Sequence, residues 1–583
     1  MSRARTPEST TARNRAPRIA SAALALALLA CAQRGEPVQT SAPESHGEPS
    51  APAEGAAAPT SSDGREETSP ESEGTSEEAK GKRDDERPRR IVLRTVYDDR
   101  EVGDEQSRLI EAELGLVQDE ALESYIRSVA LRLLRHAPPR PFEYEFKIVD
   151  QSVPNAFALP GGKIYVSRGL LALATSEDEL AGVLGHEITH AVERHAAGRI
   201  EHASRLNPFI IGLMRAAEIA EYSRDQERDA DRGGQILAAR AGYDPVGIAT
   251  FMRKLDAAER YETGWSRLPF FLATHPTSPE RAALATNRAE QLEWTRVEGV
   301  ADDKEHASFG LTEGEPHGYY AMIDGLVLGE NPAGGLFHDT LFVHPDLRFS
   351  IRFPRGWTTM NSPQAVSAVS PRRDAQATLS LVGKGGNLEQ SVDDFLAEER
   401  DGVSIRVDDR RRVRIGDLEG IRIEGRASNG MTRLWTQITF LEYDELVYNL
   451  STVSLAGGAN RYRGRARAFA YSFRPLDEAE SRSEEVTRLR VARALENETL
   501  QQLSGRTGNT LEVVFTGVMN ALFANTPLSR GMLVKIGLRE PYIPEKRDED
   551  PAAAEGADPE AGSEDASPGE HAEHPQAKEG AAP

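Results

Sequence analysis

Two histidines and a glutamate, His186, Glu187 and His190, stand in residues 180–192, a stretch otherwise apolar apart from Thr189. A stretch of that composition belongs in a core. A core holds imidazoles and a carboxylate only when partners offset the cost of removing them from water. Histidines at i and i+4 of a helix lie one turn apart on one face, so their ring nitrogens can reach a single tetrahedral zinc. Glu187, directly after the first histidine, is placed to contact a water on the metal rather than the metal itself. The alternative is a chance match of a short pattern on a polar helix, and the apolar surroundings argue against it.

The rest of the composition narrows the chemistry. The 583 residues include one cysteine, Cys31. Intrachain disulfides, C-x-x-C redox chemistry, zinc knuckles and iron–sulfur clusters are therefore excluded, and a metal site must use histidines and carboxylates. A net charge of −23 argues against a nucleic-acid partner, because a phosphate backbone needs a basic face.

A third ligand has to come from elsewhere. A histidine ten positions after His186 would supply one, but Ala196 stands there, and His195 falls on the opposite face of a continued helix. His195 reads as a structural or surface residue. Glu227 and Asp231 are spaced i, i+4 in a segment that opens a helix ending near Gly242. Glu227 could close the site while Asp231 accepts the second ring N–H of a ligating histidine. An acidic, solvated helix start is the competing reading.

Asn155-Ala156-Phe157-Ala158-Leu159-Pro160-Gly161-Gly162, the Gly185-His186-Glu187-Ile188-Thr189-His190 helix, residues 227–231 and Ala241-Gly242-Tyr243-Asp244-Pro245 occur in that order. Together they resemble the BepA-type periplasmic zinc peptidases, in the gluzincin family that also contains the CAAX prenyl proteases. The match spans about residues 95–290. The resemblance implies zinc held by His186, His190 and Glu227, with Asp231 as the supporting carboxylate and Glu187 as general base. It also implies that His275, in Thr274-His275-Pro276, lies near the metal and gates it or stabilises the oxyanion. The strand at residues 155–159 would border the cleft, where Asn155, Ala156, Phe157 and Ala158 hold an extended peptide by β-augmentation. Such a site predicts an endopeptidase with broad sequence tolerance.

Residues 1–31 read as a secretory leader. Arg3, Arg5, Arg13, Arg15 and Arg18 precede an apolar run, residues 19–30, too short for a membrane span. Leu28-Leu29-Ala30-Cys31 resembles a lipobox, which predicts lipidation of Cys31 and, with Ala32 next, the outer membrane. The alternative is an ordinary signal peptide with an incidental cysteine. Residues 32–88 and 541–583 are Ser-, Glu-, Pro-, Ala- and Gly-rich and cannot bury enough apolar surface to order themselves. They read as a disordered linker and a disordered acidic tail, and they hold most of the net charge. The apolar run at residues 209–220 fits a buried helix.

The expected fold is a mainly α zinc-metallopeptidase domain with a small β-sheet at 89–298, gluzincin-like. A connector at 299–339 comes next, then an antiparallel α+β accessory domain at 340–476. In that domain strands are expected at 347–353, 377–382, 412–415, 420–425, 434–441 and 446–453, and helices at 392–399 and 461–469. His344 and Trp357 read there as packing residues. Residues 486–538 resemble a degenerate LysM peptidoglycan-binding βααβ unit, with Asn497-Glu498 where that fold has Gly-Asp. A plain structural cap is the competing reading.

Two functions are open at this level. One is a zinc endopeptidase of the bacterial periplasm, hydrolysing misfolded or unassembled envelope proteins. The other is a non-catalytic envelope lipoprotein that binds clients or peptidoglycan. The intact Glu187 favours the first, since a scaffold has no use for a general base.

Overall fold

The computed structural model describes residues 96–197, 223–261, 275, 279–297, 318–397, 404–428 and 433–544. The leader with Cys31, the linker at 32–88, the apolar run at 209–220, Thr274, Pro276, most of the connector and the tail beyond residue 544 lie outside them. Among the described residues no helix is long and apolar enough to cross a membrane.

The chain opens with α1 (Val96–Leu114) and α2 (Glu120–Leu134). The apolar positions Leu122, Ile126, Val129 and Leu133 of α2 recur at helical spacing and are buried. A three-stranded sheet comes next, built from β1 (Glu145–Val149), β2 (Ala156–Leu159) and β3 (Lys163–Ser167) in the order β1-β3-β2. β1 is parallel to β3 and β2 antiparallel to it. Phe142, Tyr144, Phe146 and Ile148 alternate with polar residues, yet β1 begins only at Glu145, which pairs with Lys163, the first residue of β3. Gly161 and Gly162, at φ 77° and 84°, turn the chain just before that point, so residues 141–144 have no strand to pair with.

Short α3 (Arg168–Leu173) then leads into α4 (Glu177–Val192), which packs beneath β2. α5 (Arg224–Arg240), α6 (Gly247–Arg260) and α7 (Pro279–Gln291) complete the helical part.

Beyond α7 the chain is β-rich. α8 (Gly318–Ile323) and β4 (Val327–Leu328) precede β5 (Leu336–His338), β6 (Leu341–His344) and β7 (Phe349–Arg352). The central sheet has seven strands, β8 (Thr358–Asn361), β9 (Ala365–Val369), β10 (Ala375–Lys384), β11 (Ser404–Ile415), β12 (Leu418–Ser428), β13 (Arg433–Tyr443) and β14 (Leu446–Leu455). Its order is β11-β12-β13-β14-β10-β9-β8, antiparallel throughout. Alternation along these strands sends Ala377 and Leu379 into one core with Trp357, Tyr448 and Phe469, and Ile421, Ile423, Ile438 and Phe440 into another. α9 (Leu388–Ala397) covers the second face and α10 (Ala459–Ala470) the first. Trp357 packs on Tyr462 and His344 on Phe349, both as packing residues.

β15 (Arg474–Pro475) pairs with β7, and a one-turn helix, α11 (Glu478–Ser481), comes after it. The last elements are β16 (Glu485–Arg493), α12 (Leu500–Thr507), α13 (Val513–Asn520) and β17 (Leu533–Pro541), a βααβ order. Its two strands pair antiparallel, and β4 adds a third. One hydrophobic core joins this end of the chain to the helical part: Tyr319, Ile323, Leu326, Leu489 and Met519 share it with Leu122, Leu170, Leu184 and Ile188.

Candidate metal centre

α4 and α5 carry the polar residues of the site, and two glycines decide how closely they meet. A Cβ on Gly185 would lie 2.9 Å from the Gly234 carbonyl oxygen, and one on Gly234 would lie 2.7 Å from the His186 nitrogen. No other residue type permits that approach, and it sets Glu227 and Asp231 against the histidines of α4. Both helices are fixed at their starts. Ser176 Oγ accepts from Glu179 N, and Ser223 and Gln226 form a reciprocal capping box. Ser176 and Glu179 also have the spacing of a reciprocal box, but only half of it is made. The Glu179 carboxylate turns instead to Thr175 N at 2.8 Å and to Lys254.

One ligand atom each from His186, His190, Glu227 and His275 lies within 4.8 Å of the others, and all four residues are buried. His186 Nε2 is 3.0 Å from His190 Nε2 and 3.2 Å from His275 Nδ1. Glu227 Oε1 is 2.9 Å from His275 Nδ1 and 3.4 Å from His190 Nε2. A tetrahedral zinc with bonds of about 2.0–2.2 Å sets its ligand atoms roughly 3.3 Å apart. The three nitrogens and one oxygen therefore fit a single small cation of that kind.

The carboxylates around the cluster divide their tasks. Asp231 Oδ1 is 3.0 Å from His186 Nδ1, the nitrogen facing away from the cluster. Arg281, on α7, donates to Asp231 through Nε at 2.9 Å and Nη2 at 2.7 Å, and its Nη1 lies 2.7 Å from Glu227 Oε2. Glu227 thus keeps Oε1 for the cluster and gives Oε2 to the guanidinium. Burial works to raise the Asp231 carboxyl, but hydrogen bonds from His186 and Arg281 outweigh it and hold Asp231 below its ordinary value.

Glu187 is fully buried. Neither of its oxygens has a hydrogen-bond partner among the described residues, and Oε1 lies 3.6 Å from His275 Nε2. A buried carboxylate with nothing to accept from is costly unless a water or other donor occupies the space it faces.

The six residues that sequence places at the metal, His186, Glu187, His190, Glu227, Asp231 and His275, come together. Arg281 is missed by sequence reasoning, and so is the position of His195. α4 does not continue to His195. It stops at Val192, Arg194 takes φ 56°, and Arg194 pairs with Asp99 of α1 through Nε at 2.6 Å and Nη2 at 2.7 Å. The turn carries His195 back, so that its Nδ1 is 2.9 Å from His190 Nδ1.

Ala156, Phe157 and Ala158 lie on β2 at the edge of the small sheet, with their side chains buried. Asn155 precedes the strand. Its N–H donates to Ser167 Oγ and its carbonyl accepts from Ser167 N, both at 2.8 Å, so its backbone is already engaged.

Residues 117–289 match Peptidase family M48. Over 226 residues the chain is 30% identical to the beta-barrel assembly-enhancing protease of Escherichia coli K12, a match covering 35% of this chain and 46% of that protein. Over 171 residues it is 30% identical to the mitochondrial metalloendopeptidase OMA1 of Schizosaccharomyces pombe, covering 27% of this chain and 50% of that protein. The chain therefore spans about half the length of these curated relatives. A solved cyanobacterial PsbP from Synechocystis matches at 14% identity and a TM-score of 0.21, over 25% of this chain and 98% of that one.

Proposed function

We propose that the peptidase family M48 domain formed by residues 117–289 is a zinc endopeptidase of the bacterial envelope that hydrolyses misfolded or unassembled envelope proteins. The observation that carries this reading is Glu187, a buried carboxylate without a hydrogen-bond donor among the described residues, beside a cluster of three histidines and a carboxylate. His186, His190 and Glu227 would hold the zinc. Zinc bound there would supply a Lewis acid that polarises the scissile carbonyl and acidifies water. Glu187 takes the proton from the attacking water and later passes it to the leaving nitrogen. Asp231 holds the His186 ring through Nδ1, and Arg281 fixes both acidic side chains. His275 would be the fourth residue within reach of that ion. Its ring must withdraw to admit a substrate carbonyl, and once withdrawn it can donate to the developing oxyanion.

Among the described residues β2 is an edge strand of the small sheet, and an extended peptide would add there, from Ala156 to Leu159, once the cover over this buried strand is displaced. The name of the Escherichia coli relative supports beta-barrel assembly as the setting. Lipidation of Cys31 and glycan binding by the LysM-like unit belong to the same proposal. Glu498 at that unit weighs against the glycan, because Arg506 and Leu495 N already occupy its carboxylate.

The test is zinc analysis together with cleavage of denatured casein by the full chain and its Glu187→Gln variant. Zinc in both and cleavage only by the first is expected. Undiminished cleavage by the variant would sink the mechanism.

A further inference from the structure

α3 is six residues long and joins the small sheet directly to the segment that starts α4. Such a helix cannot satisfy its own last carbonyls. The groups that satisfy them come largely from beyond residue 289, where the family match ends. At its start, the buried Arg168 donates to the carbonyls of Val327 at 2.8 Å and Gly329 at 2.6 Å. At its end, the Tyr319 hydroxyl donates to Leu171 O at 2.7 Å. Lys535 Nζ donates to the next three carbonyls, Ala172 at 2.6 Å, Leu173 at 3.1 Å and Ala174 at 2.6 Å.

Lys535 is 0% exposed and stands on β17, the last strand of the βααβ unit. An ammonium has three N–H groups, and here three consecutive carbonyls receive them. Asn520 of α13 fixes the backbone behind it. Its Nδ2 donates to Lys535 O and its Oδ1 accepts from Lys535 N, both at 2.8 Å. The contact continues toward the site. Leu173 O also accepts from Lys254 Nζ at 3.1 Å, Lys254 donates to Thr175 Oγ1 at 2.8 Å and pairs with Glu179, and Glu179 lies in the first turn of α4. The helix entered that way carries His186 and His190.

A buried ammonium is expensive, and a methionine of similar length would cost less to bury. Three consecutive carbonyls gathered on one buried Nζ point to a geometric task. We propose that Lys535 is a positioning residue for the metal helix: it holds the carbonyls of 172–174, and through Lys254 and Glu179 the start of α4, so that the ligands of α4 meet Glu227 only when the βααβ unit is seated. That unit is then a working part of the peptidase domain rather than an appendage. Only the activity readout below rests on the peptidase reading.

The test compares the full chain with its Lys535→Met variant by zinc titration, by hydrogen exchange over residues 174–182 and by casein cleavage. The variant is expected to keep its secondary structure, bind zinc at least about tenfold more weakly, exchange faster over 174–182 and lose kcat about tenfold or more, with KM within about twofold. The zinc affinity separates positioning from a general loss of stability, which would lower the active fraction without changing the affinity of the folded remainder. Zinc affinity and exchange equal to the wild type would overturn the proposal. If the variant does not fold, exchange in the wild-type chain under rising denaturant decides. Opening of residues 533–541 while 174–182 stay protected would equally overturn it, and opening of the two together supports it. A wild-type chain that binds no zinc and cleaves nothing would sink the peptidase reading, while the exchange data still decide the coupling.

Discussion

Glu187 and the two acids of α5 occupy equally buried positions but differ in their partners, and the difference fixes what each substitution should do. Glu187→Gln changes no ligand, so zinc should remain while cleavage falls by at least about a hundredfold, the scale of a lost general base. Glu227→Ala removes an oxygen from the cluster and should nearly abolish zinc occupancy. Asp231→Ala leaves the cluster whole and loosens the His186 ring and the Arg281 guanidinium, so affinity should fall by about 10–100-fold. Equal, full occupancy in both, measured by elemental analysis, would mean that the third ligand lies elsewhere. Arg281→Met should be harsher than its distance from the reaction suggests. It leaves Glu227 and Asp231 buried without their cation, a loss of about 3–5 kcal/mol, readable as a lower unfolding midpoint even with zinc present.

At the scale of elements, the meeting of α4 and α5 is the feature most sensitive to a single methyl group. Gly234→Ala would press a Cβ onto the His186 backbone, and that backbone cannot rotate away as a side chain could. The helices must part, at a cost of about 1–3 kcal/mol. Zinc affinity should fall with stability, because parting the helices moves Glu227 away from His186 and His190. A Gly234→Ala protein with wild-type zinc affinity would show that the site tolerates the shift. Only part of this meeting is legible in the sequence. The i, i+4 spacings of His186 with His190 and of Glu227 with Asp231 are local, and each helix presents its pair on the face the spacing requires. Of the seven-stranded sheet, β10 and β12 to β14 are legible in the sequence and β11 only over its last four residues, while β8 and β9 are not. Gly234 and Arg281 are not legible, because their importance lies in what stands opposite them across a helix interface. His195 is misplaced because extrapolating α4 by its period ignores where a helix stops. Arg194 ends it with a left-handed residue, and neither a glycine nor a proline marks the spot.

For the whole molecule, a metal at the centre of a core shared by distant segments should stabilise more than its own pocket. Zinc at a hundred times its dissociation constant would add about 2.7 kcal/mol to the folded state. Chelation should therefore lower the unfolding temperature and also speed hydrogen exchange in β16 and β17, which share that core through Leu489 and the Lys535 contact. Loss of protection confined to residues near α4 would show instead that the two ends unfold independently.

The contact between Lys535 and Ala172 spans 363 residues of sequence, and that separation has a consequence in time. A chain grows from its N-terminus, and early segments start to fold before later ones exist. α4 emerges with its histidines already in helical register, yet Lys535, which caps its approach, is made 363 residues after Ala172. A nascent or truncated chain would carry the ligands without the frame that aligns them. On the proposed reading, hydrolysis would then begin only once Lys535 is in place, and the growing chain would be inert until that point.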